Sequence, residues 1–160
     1  MELLSQSAGI DIPATLLRLL HVLAAVLAAG GVFFQLMALR PALAEIEDAR
    51  RRELREAIAA RWRVVAYGAI AALLLTGLLN YVLYKIPEYR SHPQKGLYHG
   101  LLGVKILLAL AAFHGAAVLA LPGAKGARYR DRAGFWLKYL AVLFTLIIAI
   151  GAALRQFPKE

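Results

Sequence analysis

Apolar residues along this chain do not alternate with polar ones; they gather into four long runs, at 16–39, 64–83, 100–121 and 135–154. Each run reaches or approaches the ~20 residues that carry a helix across a bilayer. Alanine and leucine dominate, and within hydrocarbon the backbone amides must be satisfied inside a helix or a closed barrel. The pattern predicts an all-α fold, a single four-helix transmembrane domain spanning 1–160. Composition agrees: 61% of the residues are apolar and mean hydropathy is +0.61, against roughly 45–50% apolar in a soluble domain. The segment before the first run holds Glu2 and Asp11 and lacks the basic start of a cleavable signal. The first run is therefore expected to stay in the mature chain.

Charge adds a direction. Arg40, Arg50, Arg51, Arg52, Arg55, Arg61 and Arg63 lie between the first and second runs, and Lys125, Arg128, Arg130 and Arg132 between the third and fourth, with Lys138 just inside the fourth. The opposite side holds only Arg18, Lys85, Arg90, Lys95, Arg155 and Lys159. Basic loops stay in the cytoplasm, so both termini are expected on the outer, periplasmic side of a multi-pass protein of the inner (cytoplasmic) membrane. The formal charge of +9 then reports topology. It flanks the spans instead of forming a basic domain with interleaved aromatics, so nucleic acid is not an expected partner. The expected surroundings are the lipid bilayer, with a membrane redox partner or a second copy of the chain as candidate protein partners. Segment 41–62 opens with a proline suited to a first helical turn and has apolar positions at Leu43, Ile46, Leu54 and Ile58. It predicts a charged helical connection, with Asp48 and Arg52 spaced to pair. The outward loop at 86–99 mixes proline, aromatics and histidine, a composition suited to a lid.

Cysteine is absent and methionine occurs only at Met1 and Met37. Disulfides and thiolate sites are thereby excluded, and a sulfur-lined Cu(I) path is disfavoured. The polar groups left in the runs or at their ends are His21, Gln35, Thr76, Asn80, His99, Lys105, His114 and Thr145. Ionisable side chains are costly inside a bilayer and tend to mark sites. With ~1.5 Å of rise per residue, His21, Asn80, His99 and Lys105 share the outer leaflet. His21 aligns with Ala24, Ala25, Ala28 and Gly31, a small-residue face suited to close helix packing or to a flat ligand. Two histidines at matched depth, His21 and His99, are what axial ligation of one haem b requires. Lys105 suits a propionate or a place as an alternative ligand, and Arg18 suits a propionate. His114 falls on one stripe of the third helix with His99 but ~22 Å further in, so it would belong to a second site completed by Gln35, Tyr67, water or a neighbouring subunit. Each residue also has a plainer use: a histidine donating to a neighbouring carbonyl, a snorkelling lysine, a packing face.

The stretches "LLHVLAAVLAAGGVFFQLMALRPAL", "TGLLNYVLYK" and "GLYHGLLGVKILLALAAFHG" resemble the superfamily that joins the copper resistance protein D domain to the HemJ-type four-helix protoporphyrinogen oxidase. Its members carry a histidine early in helix one, a nearby glycine and a lysine early in helix three, which correspond to His21, Gly30 or Gly31, and Lys105. The resemblance spans about 16–158 and its motifs are short. This chain has Leu27, Ala28 and Ala29 where the oxidase branch places a tryptophan, and His99 does not adjoin Lys105 as the equivalent histidine does. The oxidase branch implies haem b and an oxidoreductase activity. Three functions stay open: a haem b-binding redox or electron-transfer protein; a copper or metal permease component with His21, His92, His99 and His114 as a ladder of nitrogen ligands; and a structural subunit of a larger membrane complex.

Overall fold

A computed structural model describes residues 11–88 and 93–157; His92 and part of the 86–99 loop lie outside the described residues. Four helices are long and apolar enough to cross a membrane. Helix α1 (Ile12–Ala44) opens with Pro13 in its first turn and Asp11 as its cap, the carboxylate accepting from the Ala14 amide at 3.0 Å. Helix α2 (Asp48–Glu88) fuses the predicted charged connection to the second span without a break. Helix α3 (Lys95–Ala120) begins at 95, earlier than the predicted 100. A short helix not anticipated from the sequence, α4 (Gly123–Asp131), precedes α5 (Ala133–Leu154).

Two features of α1 and α2 follow from proline. Each helix widens into one π-helical turn, Gln35–Leu39 and Tyr81–Lys85, where the Arg40 amide reaches the Gln35 carbonyl and the Ile86 amide the Tyr81 carbonyl. Pro41 and Pro87 come directly after. A proline supplies no amide, and its ring crowds the carbonyl four residues back. A wide turn gives that carbonyl room while the helix continues.

The helices form a four-membered ring: α1 packs on α2 and α3 on α5, while α2 with α3 and α1 with α5 close it. Consecutive spans run antiparallel, so α4 and the 45–47 turn share an arginine-rich end, and residues 12, 88, 95 and 154 share the terminal end. The core sits toward the arginine-rich end. Ala29 and Val32 of α1 and Ala112 of α3 meet Leu137, Leu140, Ala141 and Phe144 of α5. Outside this core the apolar side chains face outward: in the most apolar stretch of each spanning helix only 11–33% of residues are buried. Such a surface suits hydrocarbon, where lipid tails replace the missing protein partners.

The small-residue face of α1 is used for packing. Ala24 is buried, and the Trp62 indole of α2 lies against Gly31, where a Cβ would overlap the ring. The arginine-rich end is also more structured than a solvated charged connection. Arg51 donates to the Ala44 and Ile46 carbonyls at 3.1 and 2.7 Å and takes Asp48 as its ion partner at 2.9 Å, so Arg51 replaces the predicted Arg52. Arg63 donates to the Ala120 carbonyl at 2.7 Å. Arg130, only 7% exposed, donates to Glu56 at 2.8 Å and to the Leu121 carbonyl at 2.7 Å. Arginines thus cap the last carbonyls of α1 and α3, which no intrahelical amide can reach.

Candidate functional site

The polar groups of the spans collect in the terminal half, away from the core. Thr76 of α2 is buried, and its hydroxyl donates to the Ala72 carbonyl at 2.5 Å. That commits the one hydroxyl proton, so the oxygen meets His21 Nδ1, 2.8 Å away, as an acceptor. His21 therefore carries its proton on Nδ1, and Nε2 keeps its lone pair. The ring also rests on Gly77: a Cβ there would stand 3.3 Å from His21 Cε1. Threonine and glycine side by side on α2 together fix the height and the tilt of one imidazole.

Lys105 of α3 is half-buried and points to α5, where its Nζ would lie 3.3 Å from a Cβ at Gly151. No carboxylate is paired with it: the ion pairs among the described residues lie at the helix ends, the nearest in sequence to this site being Lys85 with Glu88. Asn80, half-buried, lies one turn beyond Thr76 on α2, ~6 Å along the axis. His21, on Thr76 and Gly77, and Lys105, on Gly151, lie in the same half of the bundle.

His99 is placed differently. It meets Tyr81 and Tyr98 edge to face, with centroids 6.0 and 5.5 Å apart, and Tyr98 meets Phe157 at 5.6 Å. Its Nδ1 is buried and has no hydrogen-bond partner among the described residues. Tyr81 lies five residues beyond Thr76 on α2, so the two histidines touch α2 at levels ~7.5 Å apart. They share a half of the bundle at different levels. His114 is exposed on the outer surface of α3, in line with Leu107 and Leu110, which are also exposed. Arg18 is exposed near the start of α1, and Gly30 has open space around it. Gln35 donates to the Gly31 carbonyl at 3.2 Å and Thr145 to the Ala141 carbonyl at 2.9 Å, so both side chains serve their own helices.

Among the described residues no three or more histidines, aspartates or glutamates cluster closely enough to hold a metal ion. An apolar cavity of about 30 Å³ lies between α1, α2, α3 and α5, lined by Ala28, Trp62, Ala69, Leu73, Phe113 and Phe144 among others. It begins one turn inward of Thr76 and does not reach His21. Sequence reasoning placed His21 and Lys105 but missed the glycines that seat them, Gly77 and Gly151. The available signal was a glycine at the depth of each ionisable side chain in an otherwise bulky span.

The fold and the site define a multi-pass four-helix membrane protein with a His–Thr–Lys cluster in one half of its bundle. No family model, curated protein or solved structure matches the chain.

Proposed function

We propose that this protein binds haem b in the outer half of the bundle, with His21 as an axial ligand, and serves a redox or electron-transfer role in the membrane. One observation carries the reading: the bond from His21 Nδ1 to Thr76, which leaves the Nε2 lone pair for a metal. Ligating histidines are held in this way, one nitrogen donating to a fixed acceptor while the other faces the iron. The donor set fits the group: a neutral imidazole, a lysine with no carboxylate partner among the described residues and, nearer the helix end, Arg18. Lys105 and Arg18 would hold the propionates. Bound haem would supply a one-electron couple between ferric and ferrous iron; Thr76 and Gly77 orient the imidazole.

The sequence resemblance to the copper resistance D and HemJ-type superfamily supports the same residues, His21 and Lys105. An oxidoreductase activity, the inner membrane and outward termini belong to the same proposal. This reading assigns the iron to His21 and leaves His99 and His114 out of its coordination. The copper reading finds less support, because His114 faces outward and does not continue a ladder inward from His21 and His99.

The test is an ultraviolet-visible spectrum of the detergent-purified protein, oxidised and then reduced with dithionite. A Soret band that shifts on reduction, with resolved α and β bands, is expected, and His21→Ala should abolish it. A spectrum unchanged in that variant overturns the ligand assignment. A featureless spectrum from protein made with ample haem overturns the haem reading; metal analysis then separates a copper permease component from a structural subunit.

A further inference from the structure

We infer that Arg40 and Lys138 hold the phosphate of an anionic phospholipid at the seam between α1 and α5. Arg40 closes the wide turn of α1, directly after the first apolar run, and its guanidinium lies against Gly134 in the first turn of α5. A Cβ at Gly134 would stand 2.5–2.6 Å from Cζ and from both Nη atoms. Near-equal distances to three atoms of one plane put that point over the face of the group, not at its rim. The face is thus spent on glycine, and the N–H donors around the rim point elsewhere. Among the described residues no hydrogen bond or ion pair occupies them, and the side chain is exposed. A planar fork of free donors matches two oxygens of a phosphate.

Depth identifies the source of that phosphate. Helix α5 holds 22 residues, ~33 Å at ~1.5 Å each, against ~30 Å of hydrocarbon, so its first turn lies at the headgroup boundary. Trp136 meets Tyr129 and Tyr139 edge to face there, with centroids 5.9 and 5.8 Å apart, as an aromatic belt at that level would. Lys138 lies one turn inward of Gly134, ~6 Å along the axis and on the same side of the helix. It is exposed and has no ion partner among the described residues. From one turn inside a span a lysine reaches back to the headgroups. Asp131, the carboxylate nearest to Gly134 in sequence, is turned to Arg55 at 3.6 Å. Met37, one turn below Arg40, and Val142, one turn below Lys138, are exposed and apolar, so acyl chains leave the site along surface that already faces lipid. Two unmatched cations at headgroup depth favour a lipid of net negative charge over a zwitterionic one, whose own ammonium competes for the phosphate. The site is independent of the haem reading.

The experiment is native mass spectrometry of the full-length protein released from detergent, with phosphatidylglycerol or phosphatidylcholine added at equal concentration. Tighter binding of one phosphatidylglycerol is expected. Arg40→Gln and Lys138→Gln should each weaken it about fivefold, the contribution of one basic side chain near an anionic surface. Arg128→Gln removes an exposed charge of α4 at the same end and should bind as the wild type does. Lys138 projects from the surface, so Lys138→Gln keeps the test readable if Arg40→Gln loosens the seam. Equal binding of the two lipids overturns the proposal. So does an equal loss in Arg128→Gln, which would reduce the preference to diffuse charge. Displacement of the lipid by millimolar glycerol 3-phosphate would assign the cations to a soluble phosphate and overturn the lipid as their ligand.

Discussion

At the scale of single residues, the argument turns on a hydroxyl. Thr76 spends its proton on the Ala72 carbonyl and presents its oxygen to His21, so the side chain that chooses the tautomer lies on a different helix from the histidine. Thr76→Val keeps the volume and removes the acceptor. Loss of such a supporting partner typically lowers metal affinity roughly 10–100-fold. Haem titration of Thr76→Val, followed at the Soret band, should show a weakening of that order, and Thr76→Ser should restore binding; equal affinities for all three would mean that Thr76 does not orient the ligand. His21 and Lys105 were legible in the sequence because an ionisable group inside an apolar run stands out against its surroundings. Their seats on Gly77 and Gly151 were not, since glycine is common in membrane helices and only the register between helices reveals which one lies opposite an imidazole. The level of His99 was misjudged for the same reason. Rise per residue orders positions along one helix, but the offset between two helices depends on packing.

At the scale of elements, the four spans were readable because bilayer thickness imposes a length on them. Helix α4 was not, for its sequence GAKGARYRD contains two glycines and no apolar stripe, a poor helix by intrinsic preference. Tertiary contacts hold it. Gly123 adopts φ +66° after Pro122, which turns the chain, and Gly126 leaves room for the Leu121 carbonyl and the Arg130 guanidinium. Arg130 then ties α4 to Glu56 on α2. Glu56→Ala leaves a buried guanidinium with the Leu121 carbonyl as its remaining acceptor. Hydrogen bonds to charged groups contribute about 1.5–3 kcal/mol, and the Glu56 side chain is 57% exposed, so screening places the expected loss near the lower end. Denaturant unfolding in micelles checks it. A second test addresses the contact between α1 and α2. Gly31→Ala drives a methyl into the Trp62 indole, and overpacking of this kind costs about 1–3 kcal/mol. The double variant Gly31→Ala/Trp62→Leu should recover part of that loss. A double variant no more stable than Gly31→Ala alone would place the strain elsewhere.

For the whole molecule, the arrangement is polarised along the bundle axis. The tight core lies toward the arginine-rich end, where Ala29, Ala112 and Leu140 meet, and the polar side chains lie toward the terminal end, where Thr76 meets His21 and Lys105 reaches Gly151. Tight packing and the polar side chains of the spans thus fall in opposite halves. A mobile or exchangeable ligand near His21 need not disturb the packing around Leu140. Which half faces the cytoplasm decides where a bound redox group exchanges electrons, and the basic residues give the expected answer: the arginine-rich end inside. Several of those arginines are consumed by carbonyls and carboxylates, as Arg51, Arg63 and Arg130 are. The bias persists in the remainder, because Arg52, Arg61 and Arg128 add exposed charge at the same end. The absence of cysteine makes the orientation directly measurable. A cysteine introduced at Arg128, in α4, and another at Gln94, just before α3, occupy opposite ends and both side chains are exposed or half-buried. In intact cells a membrane-impermeant maleimide should label Gln94→Cys, and should label Arg128→Cys only after the membrane is opened. The reverse pattern would invert the molecule, and with it would move the His21 cluster from the outer to the inner leaflet.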